Sequence, residues 1–245
     1  MIPVRGGPKV IAHGVVALGG TALLLYGCAA APPPILPPPG YLAADAAPAL
    51  MRMPVHAISD SLPMTDDRRW LAIAHAELRP AFAPAHFDCA LGFRLSGRDI
   101  PETRRLFARL GRDITSRLER ADAVDGTVGQ PCIRTRFLTA DIGSGRAAAL
   151  GTAYAGALAL LAPDRADALA AAGIAIGDSA RLCGLADADQ TVAGAALGLA
   201  VLQSASATAD FADDLNSARA EVEAARASAL TSPACAAERR ALSTD

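Results

Sequence analysis

Lysine and histidine are the scarce residues of this 245-residue chain. Of its 23 basic side chains only Lys9 is a lysine, and the remainder are arginines. A lysine Schiff base, or the lysine of a phosphate-cradling Walker loop, is therefore excluded once the first turns of sequence are set aside, because that chemistry needs an amine at the reacting atoms. His13, His56, His75 and His86 are the four histidines. Beyond His86 no imidazole is available as nucleophile, proton shuttle or metal ligand. Aromatic residues make up 4% of the chain, too few for an aromatic-rich binding face, whereas hydrophobic residues make up 52% and suffice for one sizeable aliphatic core. Period-two alternation long enough for a sheet is missing as well, so the expected class is all-α, a single helical bundle domain.

What is present begins with an address. Arg5 and Lys9 precede an apolar run from Val10 to Tyr26 that ends at Gly27-Cys28, the pattern of a bacterial signal peptide over residues 1–28. Leu25-Tyr26-Gly27-Cys28 is similar to a lipoprotein cleavage box, which makes Cys28 the lipidation candidate; cleavage among the alanines from Ala29 onward is the alternative. The expected location is the periplasm or a lipid anchor at the cell envelope, with membrane contact only through the N-terminal lipid. Removing this segment would take Arg5 and Lys9 but no acidic side chain. The mature chain is then more acidic than the formal net charge of −2 of the whole, which argues against nucleic acid as a partner. In an oxidising compartment the four remaining cysteines, Cys89, Cys132, Cys183 and Cys235, predict two disulfides, with all three pairings open.

Residues 29–45 hold Pro32-Pro33-Pro34 and Pro37-Pro38-Pro39 and predict an extended linker ahead of a folded domain over 46–235, followed by a polar tail at 236–245. Helical spacing starts around Trp70, Ile73 and Ala74 and stops by Pro80, and a second short helix is expected from His86 to Leu95. Asp99 is placed to cap a helix in which Leu106, Leu110, Ile114 and Leu118 fall on one face and arginines on the other. Residues 122–145 read as loop. Ser144 can cap a helix through Leu161, Pro163 and Asp164 open another through Leu182, and Asp187 or Asp189 cap a third towards Ala205. Phe211, Leu215, Ala218, Val222 and Ala225 form a last stripe, with Asp213 and Asp214 on its solvated side. The apolar stretch from Thr191 to Gln203 is shorter than the ~20 residues of a membrane span, and Gly194 and Gly198 suit close helix packing.

The order of landmarks resembles the bacterial class A nonspecific acid phosphatases, in the superfamily of type 2 phosphatidic acid phosphatases and vanadium haloperoxidases. It is carried by Phe87-Asp88-Cys89-Ala90-Leu91-Gly92, Gly129-Gln130-Pro131-Cys132, Ser144-Gly145, Pro163-Asp164-Arg165-Ala166-Asp167-Ala168-Leu169 and Cys183-Gly184, and covers roughly residues 30–235. The resemblance implies a helical bundle of the acid phosphatase type. It also implies three motifs: lysine, six residues, then Arg-Pro; Pro-Ser-Gly-His; and Ser-Arg, five residues, His, three residues, Asp. Cations and a helix N-terminus hold phosphate oxygens, one histidine protonates the leaving group, and the other attacks phosphorus with an aspartate orienting it.

Carried over residue by residue, the motifs are degenerate. Anchored on Cys183-Gly184, the third keeps Ser179, but its arginine falls on Ala180, its nucleophile on Ala186 and its aspartate on Gln190. The second keeps Ser144-Gly145 and has Arg146 where the acid histidine stands. The first puts its lysine near Ser116 and its Arg-Pro near Ala123. No catalytic set is intact, and a vanadate cofactor fails for want of the same histidine; no cofactor is expected. Arg117, Ser144, Gly145, Arg146 and Arg181 are the candidates for a rebuilt anion site, with phosphate or another small anion as the ligand, against the plainer alternative of solvated arginines. No metal site is expected, since His56, His75, His86 and Cys89 lack zinc spacing, and no serine stands in a nucleophile-elbow context for a Ser-His-Asp triad. The expected function is that of an exported, catalytically inactive acid-phosphatase homologue, the alternative being an active phosphatase with a relocated site.

Overall fold

The computed structural model describes residues 38–43, 65–118 and 145–243. The signal segment, Cys28, the first part of the proline-rich linker, His56, Ala123, Cys132 and Ser144 lie outside them. The described residues are helical, with no strand among them. The helices are α1 (Asp66–His75), α2 (Asp88–Leu91) entered by a 3-10 turn at Ala83–Phe87, α3 (Pro101–Leu118), α4 (Arg146–Leu161), α5 (Ala166–Leu182) entered by a 3-10 turn at Pro163–Arg165, α6 (Ala188–Ser206), α7 (Ala209–Ala227) and α8 (Cys235–Leu242). No single helix among these is long and apolar enough to cross a membrane.

Helix α4 is the axis of the bundle. It is alanine-rich and packs on α5 and α6 through small residues that let backbones meet. A Cβ on Gly194 or Gly198 of α6 would collide with the carbonyl of Gly145 or Ala149, and one on Gly151 would come 2.8 Å from the carbonyl of Gly173 on α5. Such close approach trades large side chains for backbone contact, and dispersion over the whole length of the crossing replaces bulky interdigitation. Leu106, Leu110 and Ile114 of α3 are fully buried, as the spacing predicts, and join Phe107, Leu150, Tyr154 and Leu158 in the core. Phe211, Ala218, Val222 and Ala225 of α7 seal the other side.

Several expectations are corrected. Trp70 and Ile73 point outward, 47% and 44% exposed, because α1 buries the face bearing Leu71, Ala72 and His75. Asp99 does not hold the start of α3. Glu221 of α7 does, accepting from the backbone N–H groups of Glu102 and Thr103 at 2.8 Å each and from Thr103 Oγ1 at 2.7 Å. Asp214 is not solvated but 5% exposed, accepting from Tyr41 Oη at 2.8 Å and from Arg105 and Arg109 at 3.0 Å each. The end of the linker therefore belongs to the fold. Tyr41 is buried against Phe211 with Arg109 stacked over its ring at 4.1 Å, and its backbone N–H donates to Asp113 at 2.7 Å. Residues 235–242, expected largely as tail, form a helix whose C-terminal carbonyls accept from Arg68 of α1.

The Phe87-Asp88-Cys89 landmark has a local cause. Phe87 is fully buried, Asp88 accepts from the N–H groups of Leu95 and Ser96 and so closes the turn after α2, and Cys89 is bonded to Cys235 on α8. Cys183 is also in a disulfide.

Candidate functional site

Helix α4 starts at Gly145, whose left-handed backbone (φ 62°) is one that glycine adopts without strain. Arg146 follows as the first helical residue. Helix α5 ends at Leu182, turns through Gly184 (φ 64°), and Asp187 opens α6. These two junctions bring Gly145, Arg146, Ala180 and Ala186 to the wall of one cavity of about 20 Å³, shared with Leu78 and Leu185. The space is that of roughly one water, and among the described residues its lining is apolar apart from Arg146. None of the described residues that line it can attack phosphorus or protonate a leaving group.

Gln190 is occupied elsewhere. Its backbone N–H donates to Asp187 Oδ1 at 2.7 Å, and its side-chain Oε1 accepts from the Asp187 N–H at 3.0 Å, a complete capping box for α6. Asp187 thus takes the capping role expected of it.

Ser179 lies on α5 beside a second cavity of about 70 Å³ that it shares with Arg68 and Asp178. Its Oγ is 2.8 Å from Nδ1 of His75, a serine–histidine pair 104 residues apart in sequence. The pair lacks what a triad needs. The ring's other interaction is with the backbone of Ala175, not with a carboxylate, and burial together with the neighbouring His86 ring pushes the His75 imidazole down to about 3. An imidazole so reluctant to take a proton is a poor general base at neutral pH. The contact satisfies a buried ring.

The arginine candidates separate. Arg117 is buried along α3, donating to the carbonyl of Asp113 at 3.0 Å, and Arg181 lies 3.8 Å from Asp178. Neither lines the cavities around Arg146. Arg146 itself reaches across to α3, where its Nε is 3.4 Å from Thr115 Oγ1, and borders a groove of about 430 Å³. There it is joined by Arg79, Arg112, Thr115, Ser116 and Tyr154. Arg79 is bound to Glu77 at 2.8 Å, and Ser116 Oγ donates to the Asp113 carbonyl at 3.0 Å. Arg112, Thr115 and Tyr154 carry signals that one-dimensional spacing hides: Arg112 and Thr115 are three apart on the polar face of α3, and Tyr154 is the one aromatic residue of an alanine-rich helix.

Among the described residues no three His, Cys, Asp or Glu side chains converge on a metal-sized point. Neither the known family models nor the curated proteins match the chain.

Proposed function

We propose that this chain is an exported, non-hydrolysing relative of the class A nonspecific acid phosphatases that binds a small anion at the cell envelope. One observation carries the reading. Gly145, Arg146, Ala180 and Ala186, chosen by motif order from two separate stretches of sequence, border the same cavity, and the described residues that line it offer no nucleophile and no acid. The helical class and the buried glycine crossings of α4 are compatible with it, and the Cys89–Cys235 bond suits an oxidising compartment. Export and acylation at Cys28 belong to the same proposal.

The test is turnover of a chromogenic phosphomonoester by the purified chain across acidic pH. No release above the background of buffer is expected, since loss of a nucleophile and its acid removes several orders of magnitude of rate. Turnover that disappears in Arg146→Ala would instead establish the alternative, an active phosphatase working through a rebuilt site.

A further inference from the structure

Ala241 is the one fully buried residue of α8, and among the described residues neither cluster of core side chains includes a member of this helix. Its 8 residues are too few to hold a helix in water unaided. What holds α8 is therefore covalent and polar. At its start Cys235 is bonded to Cys89, and at its end Arg68 donates to the carbonyls of Ala241 and Ser243 at 3.1 and 3.2 Å. The Arg240–Asp67 pair at 3.3 Å is exposed and adds little. One contact opposes docking. Glu238, three residues after Cys235, is half-buried, and burial together with the charge of Asp88 pushes its carboxyl above the usual range.

We propose that α8 is a redox-released flap: reduction of the Cys89–Cys235 bond by a dithiol frees the helix and opens the cavity of about 70 Å³ beside Ser179, while the rest of the bundle stays folded. Ala241 and Leu242 of α8 line that cavity together with Leu71 of α1 and Ala175 and Leu182 of α5, so undocking gives an apolar strip to solvent. The step is an exchange of two electrons. One thiolate of the dithiol attacks a sulfur of the bond, giving a mixed disulfide and one protein thiolate, and its second sulfur then displaces the other cysteine. The dithiol leaves as a disulfide, and its two protons end on Cys89 and Cys235 as thiols. Access selects this bond. Cys89 and Cys235 are half-buried, whereas Cys183, also in a disulfide, is 0% exposed and out of an attacking thiolate's reach. Once the bond is open, the charges of Asp88 and Glu238 oppose its closing again.

Hydrogen exchange of the full chain before and after brief treatment with dithiothreitol, read by mass spectrometry, tests the flap, and alkylation with iodoacetate shows which cysteines have opened. Label is expected on Cys89 and Cys235 and not on Cys183. The amides of α8 should then exchange roughly tenfold faster or more, while α4, α5 and α6 remain protected. The double variant Cys89→Ser, Cys235→Ser should show the same pattern without reductant. Glu238→Gln, which removes the like charge near Asp88, should slow α8 exchange in the reduced chain about twofold. Protection of α8 that survives loss of the bond, or loss of protection in α4 to α6 along with α8, overturns the flap. No label at Cys89 overturns release by a dithiol, label on Cys183 at the same rate overturns selection by access, and an unchanged rate in Glu238→Gln overturns the part played by charge.

Discussion

His75 and His86 pack edge to face with ring centroids 5.3 Å apart, both held below the ordinary imidazole range chiefly by burial. Charging either ring costs desolvation, and charging both adds repulsion. Because the folded-state value of His75 lies near 3, well below that of an unfolded chain, the unfolded state binds the extra proton first as the solution is acidified. The stabilisation from a neutral ring is fully present above the unfolded value of about 6.5 and is lost as pH falls from there towards 3. Urea unfolding at about pH 7 and about pH 4 should show a loss approaching 1.4 kcal/mol per pH unit from this residue, and His75→Gln should flatten that slope while lowering stability at neutral pH. An unchanged slope in His75→Gln would assign the acid sensitivity elsewhere. The serine–histidine contact itself joins residues on α1 and α5 whose sequence neighbourhoods give no hint of each other, and no periodicity argument pairs them.

At the scale of the element, α3 does two jobs on two faces. Arg105, Arg109 and Asp113 hold Tyr41 and Asp214, while Arg112 and Thr115 border the groove. Its N-terminus is capped across space by Glu221, which satisfies two backbone N–H groups and one hydroxyl. Glu221→Ala should therefore cost about 1–2 kcal/mol in a denaturant titration, whereas Glu223→Ala, exposed half a turn further along α7, should be close to neutral. The course of α3 to α7 was legible in the sequence because four-residue apolar steps and local caps such as Asp187 leave their mark within one turn. What was not legible depends on partners far along the chain. The cap at Glu221, the burial of Asp214 and the outward turn of Trp70 are each decided by which face meets a neighbouring helix. The candidate site divides in the same way: motif spacing led to Gly145, Arg146, Ala180 and Ala186, but not to Arg112 or Tyr154, which reach the groove from separate helices.

For the whole molecule, the bond between Cys89 and Cys235 closes a loop of 146 residues and ties the α2 turn to the last helix. Replacing both with alanine should lower stability by roughly 2–5 kcal/mol, seen as a fall in the urea midpoint relative to the oxidised parent, because the unfolded chain regains the freedom of a long loop. A midpoint unchanged by the double substitution would mean that α8 is held by Arg68 and its neighbours alone.

Tyr41 meets Asp214 across 173 residues, and Arg68 meets Ala241 across the same span. The earliest described segments are thus completed by the latest ones. A chain still emerging from a ribosome or a translocation pore can offer Tyr41 its partners on α3 but lacks Asp214 and Phe211 until α7 follows, so native structure at the N-terminal end is completed only once α7 has been made. Truncation before residue 209 would strand that end, which makes completion of this bundle wait on its last two helices.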